Sequence, residues 1–255
     1  MTENENELLM SSIMDIGKLM LVSGAEIYRV EDTIIRLIKA YGGSAWQVTA
    51  VPSHIIASAR FGDRELTYTR RVDTTQTDLE LLDRINALSR RICSEKPEAG
   101  KLAAMLESAR SGKHFTDVQL SAIYAFTSAA FTLFFGGGWI DTLISAVIAG
   151  SLYYVRKLIA QSGGNRIFVA LFCSAYSAFL AKLLCNVGLG ADPDKVIIGV
   201  VMVLIPGVEL VNGFRDFSAG DIQAGIMHMG EALFLGVMIA VGAAGMFMLA
   251  GSMGL

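Results

Sequence analysis

The sequence predicts an α-helical membrane protein with about five transmembrane helices, preceded by a small α+β cytoplasmic domain. Three observations predict it. The chain is strongly apolar: 53% of its 255 residues are hydrophobic and its mean hydropathy is +0.50, whereas soluble domains hold roughly 45–50% apolar residues with glycine counted. The apolar residues are also unevenly placed. Lys, Arg, Asp and Glu are dense up to about His114, and long apolar runs take over after Phe115. Within the charged part, stretches of helical spacing flank stretches of strict alternation. The expected domains are therefore 1–114, facing water, and 115–255, in the membrane.

The elements of the first domain follow in order. Leu9, Ile13, Ile16 and Met20 recur with helical spacing. Ser23 and Glu26 form the S-x-x-E pattern of a capping box, which predicts a second helix starting near Gly24. Ile27, Val30, Ile34, Leu37 and Tyr41 make its apolar stripe, and Gly42-Gly43 suit its end. Glu26, Arg29, Thr33 and Arg36 fall on the opposite face. Glu26, Arg29 and Glu31 are a candidate binding site, against the plain expectation of a solvated helix face with local ion pairs. AWQVTAV, HIIASARF and RELTYTRR read as strands, with Gly62-Asp63 as a tight turn between the last two. Leu81, Ile85, Leu88 and Ile92 mark one further helix; Leu102, Met105, Leu106 and Ala109 mark another. The order ααβββαα gives a small α+β domain.

A spanning helix needs about 20 mostly apolar residues. The candidates lie near 118–135, 140–155, 167–187, 196–214 and 223–249. Arg156, Lys157 and Arg166 crowd the loop between the second and third, and Arg215 lies between the fourth and fifth. The GGGW loop after the first has no cation, and Asp192 and Asp194 offset Lys195 after the third. Positive residues mark the inner side, so the N-terminal domain is expected inside. The acidic start MTENENELL lacks the basic and apolar regions of a signal peptide, which agrees with a cytoplasmic first domain. Lys182, within the third span, requires a partner or a route to the interface.

Several function classes fall away. Charges of both signs are interleaved around a net charge of −3, so no basic face for nucleic acid is expected. Cys93, Cys173 and Cys185 lack metal-ligand spacing and read as packing residues. No phosphate-binding glycine motif supports an ATP-driven pump. Ser53 and His54 are adjacent, but neighbours on a strand point to opposite faces, so a nucleophile–base pair is not expected there. No catalytic residue, metal or cofactor is expected, and the chain is not read as an enzyme. A membrane-anchored sensor or scaffold remains as an alternative, but an anchor needs no carboxylates inside its spans.

The stretch LIPGVELVNGFRDFSAGD, at 204–221, interrupts an apolar run with polar residues. Pro206 removes a backbone donor and Gly207 does not stiffen the chain, so the helix is expected to break there. Broken backbone at membrane depth is tolerated where it is buried in protein or lines a water-filled cavity. Glu209 and Asn212 share a helix face, as do Asn212 and Asp216 if the helix continues. Asp221 suits the N-cap of the last span, and His228 and Glu231 follow within it, three apart. A carboxylate inside a span costs about 2.5–3.5 kcal/mol on insertion scales. Glu209, Asn212, Arg215, Asp216, Asp221, His228 and Glu231 are therefore candidates for a solute or ion path. Asp141, at the outer end of the second span, is a further candidate.

SGAEIYRVEDTI, VPSHIIAS and TRRVD, followed by PGVELVNGFRDFSAGDIQAG, give a sequence that resembles the threonine/serine exporter family over nearly its whole length. The G-A-E-x-x-R-V-E pattern falls on Gly24, Ala25, Glu26, Arg29, Val30 and Glu31. The P-G-x-x-x-x-N-x-x-R-D-x-x-x-G-D pattern falls on Pro206, Gly207, Asn212, Arg215, Asp216, Gly220 and Asp221. Long members carry a second membrane half on the same polypeptide. The resemblance therefore implies the larger subunit of a split, two-subunit form in a bacterial inner membrane, with a smaller membrane subunit as partner. It implies export of a small carboxylate, succinate or another dicarboxylate, or else of threonine and serine as in one-chain members; a homo-oligomer stays open. On this view Arg215 meets a solute carboxylate at the cytoplasmic mouth, and Glu209 or Glu231 carries a coupling proton.

Overall fold

The computed structural model describes residues 3–72, 77–112 and 115–252. Asp73 of the TRRVD motif and the expected boundary at His114 lie outside them. In chain order the elements are α1 (Glu3–Val22), α2 (Ile27–Ala40), β1 (Ser44–Val51), β2 (His54–Phe61), β3 (Arg64–Arg71), α3 (Leu79–Glu95), α4 (Ala99–Arg110), α5 (Asp117–Phe134), α6 (Trp139–Gln161), α7 (Arg166–Asn186), α8 (Pro193–Val201), α9 (Gly207–Ala219) and α10 (Ile222–Ser252). They form two compact units. One takes Met1–Lys113 with Gly207–Gly230; the other takes His114–Pro206 with Glu231–Leu255.

In the first unit the apolar stripes of α1 and α2 are fully buried except at Tyr41, which lies past the end of α2 and is half-buried, and β2 turns Ile55, Ala57, Ala59 and Phe61 into the same core. The sheet is antiparallel in the order β1-β2-β3, and the two-residue turn Gly62-Asp63 joins Phe61 to its partner Arg64. Ile85, Leu88 and Ile92 of α3 and Leu102 of α4 close the core. Each fully buried aliphatic side chain contributes about 1.5–3 kcal/mol.

The corner between α1 and α2 differs from the expected capping box. The N–H of Gly24 bonds to the carbonyl of Leu21, and that of Ala25 to Met20. With Gly24 at φ +91°, this is a Schellman ending of α1, which uses Ser23 as a C-terminal residue. Helix α2 starts at Ile27, with Glu26 in extended conformation before it and no side-chain cap from Glu26. The Ser23 hydroxyl is buried without a hydrogen-bond partner among the described residues.

In the second unit, α6 buries Ile144, Ile148 and Leu152 against Val169 and Cys173 of α7 and Val196 and Val200 of α8. The helices approach closely where side chains are small. A Cβ at Gly242 would collide with the Leu171 carbonyl and the Ser174 hydroxyl. Buried hydroxyls return to backbone: Ser128 donates to the Ser145 carbonyl at 3.2 Å, and Ser177 to Cys173 at 2.7 Å. The outer faces are apolar, with Leu143, Val147 and Leu158 of α6, Phe168 and Phe172 of α7, and Leu233, Val237 and Val241 of α10 all exposed. So much exposed apolar surface fits a lipid environment.

Among the described residues three helices, α6, α7 and α10, are long and apolar enough to cross a membrane. The expectation of about five is met by these three only. Helix α5 fills the first expected span, but Asp117, Gln119 and five hydroxyl side chains dilute it. The fourth expected span is cut in two: α8 ends at Val201 and α9 starts at Gly207, with Pro206 in the break. At about 1.5 Å per residue, neither piece reaches across a core of about 30 Å. Lys182 of α7 finds its partner in α10, donating to the Phe247 carbonyl at 3.2 Å and lying 4.4 Å over the Phe247 ring.

Candidate functional site

Helix α9 carries Asn212, Arg215 and Asp216 at positions i, i+3 and i+4, which share one face. All three meet the corner that leads into α2. The Asn212 amide donates to the Gly24 carbonyl at 3.0 Å. Arg215 pairs with Oε1 of Glu26, while Arg29 holds Oε2 at 3.2 Å. The backbone N–H of Ile27, the first residue of α2, donates to Oδ1 of Asp216 at 3.2 Å. The two motif stretches, nearly 190 positions apart (|i−j| = 189), thus form one polar cluster.

A second hairpin completes it. Gly220, at φ +88°, ends α9 as Gly24 ends α1: its N–H bonds to the Phe217 carbonyl and that of Asp221 to Asp216. Asp221 then caps α10, accepting from the Ala224 N–H at 3.0 Å. The tight reversal is possible because Gly213 and Gly225 let the two helices touch: a Cβ at Gly213 would lie 3.3 Å from the Gly225 carbonyl. His228 of α10 returns over Asp216, with Nδ1 2.8 Å from Oδ2. Asp216 is wholly buried and His228 nearly so.

Glu26 was expected on a solvated face, but its side chain is only 5% exposed, whereas Arg29 and Arg215 are 42% and 59% exposed. Burial alone would push its carboxyl up. Its own backbone N–H, the Arg215 hydrogen bond and the two guanidinium charges outweigh that, and the pKa falls below its ordinary value. Glu31, one turn on, shifts the other way. Burial and the charges of Asp221 and Asp216 raise it, against a lowering bond from the Ala50 N–H at 2.7 Å.

The remaining candidates fall elsewhere. Glu209 is half-buried in the first turn of α9. Pro206 and Gly207 mark the helix break. Glu231 belongs to the second unit, where it pairs with Arg166 at 2.8 Å. Asp141, also in that unit, is buried and accepts from the N–H groups of Gly138, Ala191 and Asp192, which ties the start of α6 to the loop before α8. Ser53 and His54 do hydrogen-bond, at 3.1 Å on the surface. Ser53 sits in the turn before β2, so strand alternation does not separate the two. Among the described residues no group of His, Cys, Asp and Glu could hold a metal ion. Sequence reasoning missed the backbone partners, the Gly24 carbonyl and the Ala50 N–H, because any residue type supplies them.

The chemistry on offer is a buried carboxylate flanked by two exposed guanidinium groups, beside a buried Asp–His pair at a helix N-terminus. Comparison with known proteins gives this cluster a setting. The family model described as a threonine/serine exporter matches residues 11–250, which include both stretches. "Probable threonine/serine exporter" of Mycobacterium tuberculosis is 25% identical over 230 residues, covering 89% of this chain and 43% of its own length. "Probable succinate transporter subunit YjjP" of Escherichia coli is 22% identical over 235 residues, covering 89% and 88%. "Threonine/serine exporter" of Corynebacterium glutamicum is 23% identical over 236 residues, covering 88% and 48%. The chain spans about half the length of the two threonine/serine exporters that it matches. No solved structure matches it. With polar motifs that meet in one cluster, apolar helices long enough to cross a bilayer, and a family match over most of its length, the chain belongs to the threonine/serine exporter family, a family of membrane transporters.

Proposed function

We propose that this chain is the larger subunit of a two-component exporter of small carboxylates, succinate or a related dicarboxylate. A smaller membrane subunit of the same family supplies the rest of the path. The observation that carries this reading is the pair of exposed guanidinium groups, Arg29 and Arg215, resting on one buried carboxylate. A dicarboxylate needs two cations, and the planar fork of arginine suits carboxylates. The ammonium of an amino acid would need an exposed anion, and Glu26 is turned inward and already engaged. The relative named as a succinate transporter subunit, matched over 88% of its own length, supports the same reading.

Export of threonine and serine is the second reading, favoured by the names of two relatives. The site would lie on the cytoplasmic side of the inner membrane. Arg156, Lys157 and Arg166 cluster around the connection from α6 to α7, which supports that orientation. The test is efflux of preloaded labelled succinate and labelled threonine from cells making this chain alone or with the smaller subunit. Succinate efflux that requires both chains is the expected result. Threonine efflux instead reverses the substrate, and no efflux of either ends the reading.

A further inference from the structure

The proposed transport leaves unused the buried contact between Asp216 and His228 in the first unit. Asp216 has no exposed surface, and both its oxygens are engaged, one by the Ile27 N–H and one by His228. Charged groups surround it on every packed element. Helix α2 brings Arg29 and Glu31, with Glu26 just before it; α9 brings Arg215, and Glu209 two turns back; α10 brings His228, with Asp221 as its cap. Around Asp216, three further carboxylates (Glu26, Glu31, Asp221) gather with two guanidinium groups, and Glu26 takes both of those. Neutral His228 leaves Asp216 a buried anion whose nearest positive field is the N-terminus of α2. Protonated His228 turns the contact into a buried ion pair.

We propose that Asp216 and His228, with Glu31 and Asp221 beside them, form a proton-binding site that latches α9 to the N-terminus of α2. With the proton bound, Asp216 stays docked on Ile27, and the neighbouring contacts of Asn212 with Gly24 and of Arg215 with Glu26 stay closed. Loss of the proton leaves a buried carboxylate beside Glu31 and Asp221 whose charge is offset only by hydrogen bonds and the N-terminus of α2. The repulsion loosens α9 and releases Arg215. The ligand is a proton, and on the exporter reading, on which only this last clause rests, its departure frees a guanidinium for the solute carboxylate.

Hydrogen exchange of the full chain in lipid nanodiscs tests the latch without transport. The readout is the amides of the first turn of α2, followed from about pH 5 to about pH 8 and corrected for the chemical exchange rate. The expected result is a protection that falls by about tenfold or more across one transition as pH rises. His228→Asn keeps an amide donor near the Nδ1 position but cannot titrate, and its profile is expected to be flat. Core amides of β2, at Ile55 and Ala57, report whether the variant is folded; if it is not, the wild-type profile alone decides. A flat wild-type profile, or a transition that persists in folded His228→Asn, overturns the proposal. A transition that vanishes in the variant while cells show no efflux keeps the latch and removes only the exporter reading.

Discussion

Glu26 and Glu31 sit five residues apart on one helix start, yet their carboxyl groups shift in opposite directions. For Glu26 the folded pKa is lowered. Its stabilisation is present above the ordinary carboxylate value and is lost as pH falls through the folded value. Removing Arg215 removes part of that gain. Because Arg215 is 59% exposed, solvent screening limits the loss, and Arg215→Gln is expected to cost only about 1 kcal/mol. Thermal unfolding at neutral and at acidic pH should show the difference from wild type shrinking toward acid. On the exporter reading proposed above, the same variant is expected to lower succinate efflux about tenfold or more; unchanged rate and affinity would rule out that role for Arg215. Glu31 has the opposite sign. Its raised pKa means that the ionised form opposes folding at neutral pH, and that the opposition fades as pH falls through the folded value. Glu31→Gln keeps an acceptor for Ala50 and is expected to raise the melting temperature at neutral pH and to raise it less as the medium is made acidic; an equal shift at both would show that charge is not the cause. The site residues were legible one by one, as motif positions and as charges in apolar surroundings. Their pairing was not, because nothing in a helical period links Glu26 to Arg215 across 189 positions.

At the scale of elements, apolar spacing located α1 to α4 well, since a half-buried helix has to repeat its apolar side. Helix ends were less legible. Ser23-x-x-Glu26 matches a helix start, but the same residues close α1, and a Schellman turn with Gly24 in the left-handed region uses them first. Membrane spans were the least legible, because an apolar run signals burial in lipid or in protein alike. Two element-level predictions follow from the packing. Ile34 of α2 is fully buried and presses on Gly17 of α1. Ile34→Ala is expected to cost about 2–5 kcal/mol, read by thermal unfolding. Gly213 of α9 faces backbone of α10 rather than a flexible side chain. Gly213→Val is expected to cost about 1–3 kcal/mol and to raise hydrogen exchange at Ile27 selectively; uniform exchange across the unit would instead mean global unfolding.

At the scale of the molecule, the first unit recruits Gly207–Gly230 from far along the chain. Its core includes Ala224, and its polar corner depends on Asn212, Arg215, Asp216 and His228. A fragment of residues 1–113 alone would leave Glu26 without Arg215 and the first amide of α2 without its acceptor. That fragment is expected to melt at lower temperature than the same unit in the full chain; equal melting would show that the recruited segment adds no stability. The composition break near residue 114 was visible in the sequence. The long-range recruitment was not, since composition reports what a segment is made of and not where it docks.

The contact between Glu26 and Arg215 has a consequence for how such an exporter would respond to its cargo. Glu26 is itself a carboxylate, tethered beside the guanidinium that the solute is proposed to use. A tethered group competes at an effective concentration of about the millimolar range or more. Dilute cytoplasmic solute would then lose that competition, and abundant solute would win it. The threshold is built into the covalent chain, so the protein would act as a relief valve that opens on surplus and spares the ordinary metabolic pool.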